Sequence, residues 1–188
     1  MKKYFYLMRH GETLFNIRKK IQGACDSPLT NLGVRQAQIA SEYFKDISVD
    51  FAYSSTSERA CDTLELIIGE KPYIRLKGLK EMNFGFFEGE SEDLNPKFEE
   101  YETFFVKYGG ESLTDVRERL VKTCTEIMEK DNHQSVLAVS HAGACINFLS
   151  NWHDPKEYIK KGIPNCSIFK YEYLNKEFKL VDIIYPKF

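Results

Sequence analysis

Short apolar runs alternate along the chain with stretches whose apolar positions recur at helical spacing. That arrangement predicts an α/β fold with a largely parallel sheet. The run Tyr4-Phe5-Tyr6-Leu7-Met8 predicts a first strand. A helix is predicted over 31–44, behind the stop-and-cap signal Pro28-Leu29-Thr30, with Leu32, Ala37, Ala40, Tyr43 and Phe44 as its apolar stripe. Residues 49–53 read as the next strand, and Ser54-Ser55-Thr56-Ser57 offers N-cap candidates for a helix reaching residue 68. Ser112-Leu113-Thr114-Asp115 has the form of a capping box. It opens a helix whose buried stripe is Leu113, Val116, Leu120, Cys124 and Ile127. A further apolar run at 136–139 leads into a turn over 140–143 and a short helix toward Trp152. Near the end, 168–173 and 178–184 flank Asn175-Lys176, which predicts an antiparallel hairpin on the sheet edge.

No low-complexity linker or internal repeat divides the chain, so one domain over 1–188 is expected. Residues 88–110 are acidic and aromatic, with Phe98, Tyr101, Phe104, Phe105 and Tyr108, and they lack a single period. They are expected to form a partly helical excursion over the sheet, acting either as a lid on the active site or as packing on the body.

Composition narrows the function classes. With 188 residues, 43% hydrophobic and 14% aromatic, the chain can bury a substantial core. A formal net charge of -2 supplies no global basic field for nucleic acid or an anionic membrane, so any anion site must be local. The N-terminal apolar run stops at Arg9, short of a secretory signal. No stretch approaches the roughly 20 apolar residues that span a bilayer, and a cytoplasmic location is the expectation. The five cysteines are odd in number and scattered without a C-x-x-C pair, which argues against a disulfide framework or a structural zinc site.

Three apolar strands run into polar groups of one kind. The first ends in Arg9-His10-Gly11-Glu12, the 136–139 run ends in Ser140-His141-Ala142-Gly143, and the 49–53 run leads through serines to Glu58-Arg59. Open α/β sheets bind ligands beyond the carboxyl ends of their strands. If these strands are neighbours, two arginines and two histidines converge near helix N-termini and form a phosphate pocket. A neutral histidine also carries a nucleophilic lone pair, so attack by His10 on phosphorus would give a phosphohistidine, with the surrounding cations neutralising the phosphoryl oxygens. Glu81 lies among apolar neighbours that favour a protonated carboxyl, able to act as general acid. Each of these residues alone would be an ordinary structural group; their recurrence at equivalent topological positions gives them weight.

The residues also resemble a known family. Leu7-Met8-Arg9-His10-Gly11-Glu12-Thr13, with Phe15-Asn16 following, is similar to the signature of the histidine phosphatase superfamily, the phosphoglycerate mutase-like enzymes. The likeness continues at Gln22-Gly23, Asp26-Ser27-Pro28-Leu29-Thr30, Ser57-Glu58-Arg59-Ala60, Leu79-Lys80-Glu81, Glu88-Gly89, Gly110-Glu111-Ser112 and Ser140-His141-Ala142-Gly143. The resemblance implies a three-layer α/β/α sandwich and an empty cofactor list. It implies His10 as nucleophile and Glu81 as proton donor. It further implies Arg9, Arg59 and His141 as the grip on the phosphoryl group, helped by Asn16, Gln22, Gly23 and the Ala142-Gly143 backbone. One departure is visible: Ser55-Thr56-Ser57-Glu58-Arg59-Ala60-Cys61-Asp62-Thr63 stands where the family usually shows a Ser-Pro-Leu-x-Arg-Ala-x-Gln-Thr-like stretch, so the start of that helix is expected to differ.

Within the family, hydrolysis is favoured over mutase chemistry, because only Lys97 and Lys107 are basic between residues 88 and 110 and a doubly phosphorylated intermediate calls for more cations. A metal-independent phosphatase acting on a small phosphorylated metabolite is the resulting expectation. Phosphoglycerate mutase-type transfer and a non-catalytic phosphate-binding module are the alternatives. Sugar phosphates, phosphoglycerates, a nucleotide-type ester and a phosphopeptide all stay open as substrates. Other signatures fail: there is no H-E-x-x-H, no G-x-x-x-x-G-K-[ST], and no cysteine six residues ahead of an arginine.

Overall fold

The computed structural model describes residues 2–97 and 100–187, so Phe98 lies outside the described residues. Strands β1 (Lys3–Arg9), β2 (Phe51–Ser55), β3 (Ile74–Leu76), β4 (Ser135–Ser140), β5 (Ile168–Leu174) and β6 (Glu177–Ile184) form one sheet in the order β3-β2-β4-β1-β5-β6. Strands β1 to β4 pair in parallel, while β5 and β6 add an antiparallel edge. Among the described residues the α-helices are α1 (Leu14–Ile17), α2 (Asn31–Phe44), α3 (Glu58–Ile68), α4 (Leu113–Met128), α5 (Ala142–Leu149) and α6 (Lys156–Lys161).

Burial of both sheet faces follows from strand alternation. In β1, Phe5 and Leu7 join a core with Val116, Leu120 and Cys124 of α4 and Ala144 and Phe148 of α5. The intervening Tyr6 and Met8 join a second core with Ala37, Ala40 and Phe44 of α2 and Ala60 and Leu64 of α3. The result is the α/β/α sandwich expected, with a mostly parallel sheet and an antiparallel edge. The edge hairpin turns through Asn175 and Lys176, whose φ values of 52° and 64° place both in the left-handed region that a two-residue turn of this kind requires. Among the described residues no helix is long and apolar enough to cross a membrane.

Several local expectations need correction. Strand β2 begins at Phe51 rather than residue 49, and it extends through the buried Ser54 and Ser55, whose polarity hid them from an apolar pattern. Leu32 is 44% exposed; Gly33 and Gln36 face the body in its place. Gly33 is required there, because a Cβ on it would lie 2.0 Å from the Glu12 carbonyl oxygen. Residues 142 and 143 belong to α5 with His141 as N-cap, not to a turn. Leu113 is half-buried rather than buried, packing against the core while it lines a cavity. In the 88–110 excursion the described residues form 3-10 turns (Glu92–Leu94 and Val106–Tyr108) and no α-helix. Phe105 is fully buried there and meets Phe84 and Phe87 edge-on at 4.9 and 5.6 Å, so this part is packing on the body.

Candidate active site

Because β2, β4 and β1 are adjacent, their carboxyl ends gather Ser54 and Ser55, Ser140 and His141, and Arg9 and His10 at one place. The His10 N–H continues the ladder by donating to the Ser140 carbonyl at 3.0 Å. Its side chain is buried. Nδ1 lies 2.7 Å from the Gly11 carbonyl oxygen, which can only accept, so Nδ1 carries the proton and Nε2 the lone pair. The Nε–H of Arg59 points at that lone pair from 3.3 Å. Burial, followed by the charges of Arg59 and Arg9, holds the imidazole well below its ordinary pKa of 6.5, so it is neutral.

Arg59 enters from the first turn of α3 and is fully buried. The sequence suggested a direct grip on the phosphoryl group, but its Nη atoms are given to the loop over 22–26. They donate to the carbonyls of Gln22, Gly23 and Cys25 at 3.4, 3.1 and 2.9 Å and to Asp26 Oδ1 at 2.8 Å. Only its Nε edge addresses His10. Gly23 likewise has its carbonyl on Arg59 and its N–H on Glu88 at 3.0 Å, so both of its backbone groups are committed behind the wall.

Glu81 follows the 3-10 turn Lys77–Leu79 and is buried. Its Oε1 accepts from the Met82 N–H at 2.9 Å and its Oε2 from the Gly143 N–H at 2.8 Å. Burial pushes its pKa above the usual 4.5, with those two N–H groups and Arg59 opposing, so the proton is retained to a higher pH than on a free carboxyl group. The Gly143 N–H is therefore tied to this carboxyl group. His141 lies beside His10, ring centroids 5.2 Å apart. It shares a 2.8 Å hydrogen bond between Nε2 and Ser55 Oγ, while its Nδ1 and Arg9 Nε are buried without a partner among the described residues.

The polar cavity bounded by these groups measures about 150 Å³ and is walled by Arg9, His10, Asn16, Lys20, Gln22 and Glu81, with Ala142 and Tyr101 beside them. Thus Arg9, His10, Asn16, Gln22, Glu81 and Ala142 meet at one wall, and Arg59 and His141 flank His10 without lining it. Asn16 is held by Asn165 Nδ2 at 3.2 Å, which also donates to the His10 carbonyl at 3.2 Å. The Gln22 amide, with its oxygen toward Arg59, accepts from Nη1 at 3.3 Å and donates to Thr13 Oγ1 at 2.8 Å. A second, apolar cavity of about 500 Å³ shares Arg9, Glu81, Phe84, Tyr101 and Ala142 with the first.

Two supports escaped the sequence reading. Glu88 accepts from the N–H groups of Gly23, Ala24, Cys25 and Phe84 at 3.0, 2.7, 3.0 and 2.9 Å, joining the 22–26 loop to the one bearing Glu81. Arg119, paired with Glu111 at 2.7 Å, donates to the carbonyls of Gly78, Lys80 and Glu81 at 3.1, 2.8 and 2.9 Å. Glu88-Gly89 and Gly110-Glu111-Ser112 stood out as motif fragments, but no local period reveals such distant partners. Among the described residues, no group of three or more His, Cys, Asp or Glu is placed to hold a metal ion.

A sequence profile of the histidine phosphatase superfamily, branch 1, matches residues 5–185. The chain is 32% identical over 182 residues to a Proteus mirabilis protein named "Probable phosphoglycerate mutase GpmB", covering 90% of this chain and 85% of the relative. The solved structure of Bacillus stearothermophilus YhfR superposes with a TM-score of 0.82 at 25% identity, over 94% of each chain. Phosphoserine phosphatase of Entamoeba histolytica, solved with 3-phosphoglyceric acid, superposes with a TM-score of 0.81 at 26% identity, over 96% of this chain and 95% of that one.

Proposed function

The chain belongs to the histidine phosphatase superfamily, and we propose that within it the protein is a metal-independent phosphatase that hydrolyses phosphate monoesters through a phosphohistidine on His10. The observation that carries this reading is the fixed tautomer: the Gly11 carbonyl accepts the Nδ1–H, which leaves the unprotonated Nε2 on a histidine that walls the polar chamber. In the first half-reaction Nε2 attacks phosphorus and the P–O bond to the alcohol breaks. The departing oxygen takes the proton of Glu81. In the second, Glu81 as carboxylate takes a proton from water, whose oxygen attacks phosphorus. The P–N bond breaks, inorganic phosphate leaves, and His10 and Glu81 return to their starting states. Arg9 and Arg59 supply positive charge throughout, and the unpartnered Arg9 Nε and His141 Nδ1 are suited to phosphoryl oxygens.

Hydrolysis is favoured over transfer by the shape of the site. The polar chamber of about 150 Å³ suits one phosphoryl group, and the space beyond it is walled mainly by apolar side chains. The second phosphate of a bisphosphorylated intermediate would have to sit there. A mutase reading draws on the Proteus relative's name and predicts interconversion of phosphoglycerates without release of phosphate.

The test is hydrolysis of p-nitrophenyl phosphate in EDTA by the wild type and by His10→Ala. It is paired with denaturing quench during turnover to trap an acid-labile phosphoryl label. Turnover lost in the variant, with the label on His10, supports the reading. Equal turnover in both proteins ends it. Activity abolished by EDTA substitutes a metal route, and no turnover in either protein favours a binding module.

A further inference from the structure

We propose that the apolar cavity beside the phosphate chamber is the leaving-group subsite, and that the substrate is the phosphate monoester of a bulky, mainly apolar alcohol. This rests on the phosphatase reading above and narrows it to a substrate class.

The argument begins with the shared wall. Arg9, Glu81 and Ala142 border both chambers, so the scissile P–O bond belongs at that boundary. A phosphoryl group facing His10 then directs its ester oxygen toward Glu81 and its alcohol into the larger cavity. That cavity, about 500 Å³, is of the size that encloses a drug-sized ligand. Its walls are Leu113 from α4, Ile146 from α5, Tyr158 and Ile159 from α6, and Ile163 from the segment that follows.

Several polar groups in this wall are already engaged within the protein. Asn147 Nδ2 is spent on the Gly143 carbonyl at 2.9 Å, and Ser150 Oγ on the Asn147 carbonyl at 2.7 Å. Arg117 donates to Thr114 Oγ1 at 3.1 Å, and the exposed Glu102 accepts from the Thr114 N–H at 3.2 Å. Away from the boundary with the phosphate chamber, Arg117 and Glu102 bring opposite charges to a wall that is otherwise mainly apolar. A hydroxylated or charged leaving group would shed its hydration against a mainly apolar surface, whereas an apolar one gains by the same transfer.

The experiment compares two primary alkyl esters of matched leaving-group chemistry, propyl phosphate and 2-(1-naphthyl)ethyl phosphate, together with phosphoserine and 3-phosphoglycerate. For the wild type, kcat/KM for the naphthyl ester should exceed that for propyl phosphate by about 100-fold, mainly through KM, and should exceed that for both carboxylated esters. Ile159→Asp should shrink the ratio at least about tenfold. Leu113→Gln repeats the test should the first variant not fold, as judged by circular dichroism. A ratio near unity in the wild type, with turnover still dependent on His10, would overturn the subsite and leave the phosphohistidine reading intact. So would a preference for phosphoserine or 3-phosphoglycerate. If no ester is turned over, the phosphatase reading fails on its own, and direct binding by naphthyl fluorescence decides the subsite. Wild-type binding weakened by Ile159→Asp would support it, and no binding would overturn it.

Discussion

The Gly143 N–H donates to Glu81 Oε2 at 2.8 Å, so the first turn of α5 sets where the buried carboxyl group sits. A side chain at Gly143 would disturb that arrangement, because its Cβ would lie 2.7 Å from Glu81 Oε1 and 3.1 Å from the carboxyl carbon. Gly143→Ala should therefore lower kcat for alkyl phosphates by about 10- to 100-fold through a misplaced proton donor. Single-turnover labelling of His10 by p-nitrophenyl phosphate, whose leaving group needs no proton, should fall far less. Equal losses on both would assign Gly143 to phosphate binding instead.

Glu81→Gln should lower kcat for alkyl phosphates by about 10²- to 10⁴-fold, and less for p-nitrophenyl phosphate. The same group shapes the pH profile. Its pKa is raised above 4.5 and the acid must be protonated to donate, so activity on alkyl esters should fall as pH rises through that raised value. The nucleophile must be neutral and its pKa is pushed below 6.5, so the acid limb should lie below 6.5. A kcat/KM profile whose acid limb sits at or above 6.5 would contradict the burial argument for His10.

Stability should carry its own pH signature. His10 and His141 are both held neutral by burial, well below 6.5, so the unfolded chain binds more protons in the window beneath that value. Their contribution is complete above pH 6.5 and is lost as pH falls toward the folded values, by up to about 1.4 kcal/mol per pH unit for each histidine. Glu81, shifted upward, acts in the opposite sense: its contribution is complete below 4.5 and lost as pH rises through its raised value. Urea midpoints measured from pH 5 to 7 should rise with pH in the wild type and rise less in His10→Gln/His141→Gln. The same slope in both proteins would contradict this assignment.

Arg59→Met should be costly to the fold as well as to catalysis. The substitution leaves Asp26 without its 2.8 Å ion pair and strands the carbonyls of Gly23 and Cys25 around a buried site. Asp26 is exposed, so the cost comes mainly from the stranded carbonyls, and a loss of about 1–3 kcal/mol in urea unfolding is expected. A loss under about 1 kcal/mol would mean that water satisfies those acceptors.

Much of this was legible in the chain. Helix α2 has the predicted limits because Thr30 caps it and apolar residues recur at helical spacing through Phe44. The hairpin was readable from Asn175-Lys176, and the meeting of His10 with His141 from two apolar runs that both end in histidine. Three-dimensional pairing was not legible. An arginine's charge is visible in sequence, whereas the loop carbonyls that meet the Nη atoms of Arg59 lie more than thirty residues earlier. Nor does local sequence show that the Gly143 N–H meets Glu81, 62 residues away. Leu32 fitted the helical stripe, yet the close approach of Gly33 to Glu12 turned the helix so that Leu32 faces outward.

The four backbone N–H groups gathered by Glu88 have a consequence for how a substrate enters. The carbonyls that fix Arg59 and the turn after Glu81 hang from one carboxylate, so neither can swing away alone. The anion seat is thus shaped during folding, not on encounter, and little ordering is left for the moment of capture. The apolar cavity beside it is bordered by side chains outside that brace, with Tyr101 and Tyr158 half-buried and Glu102 exposed.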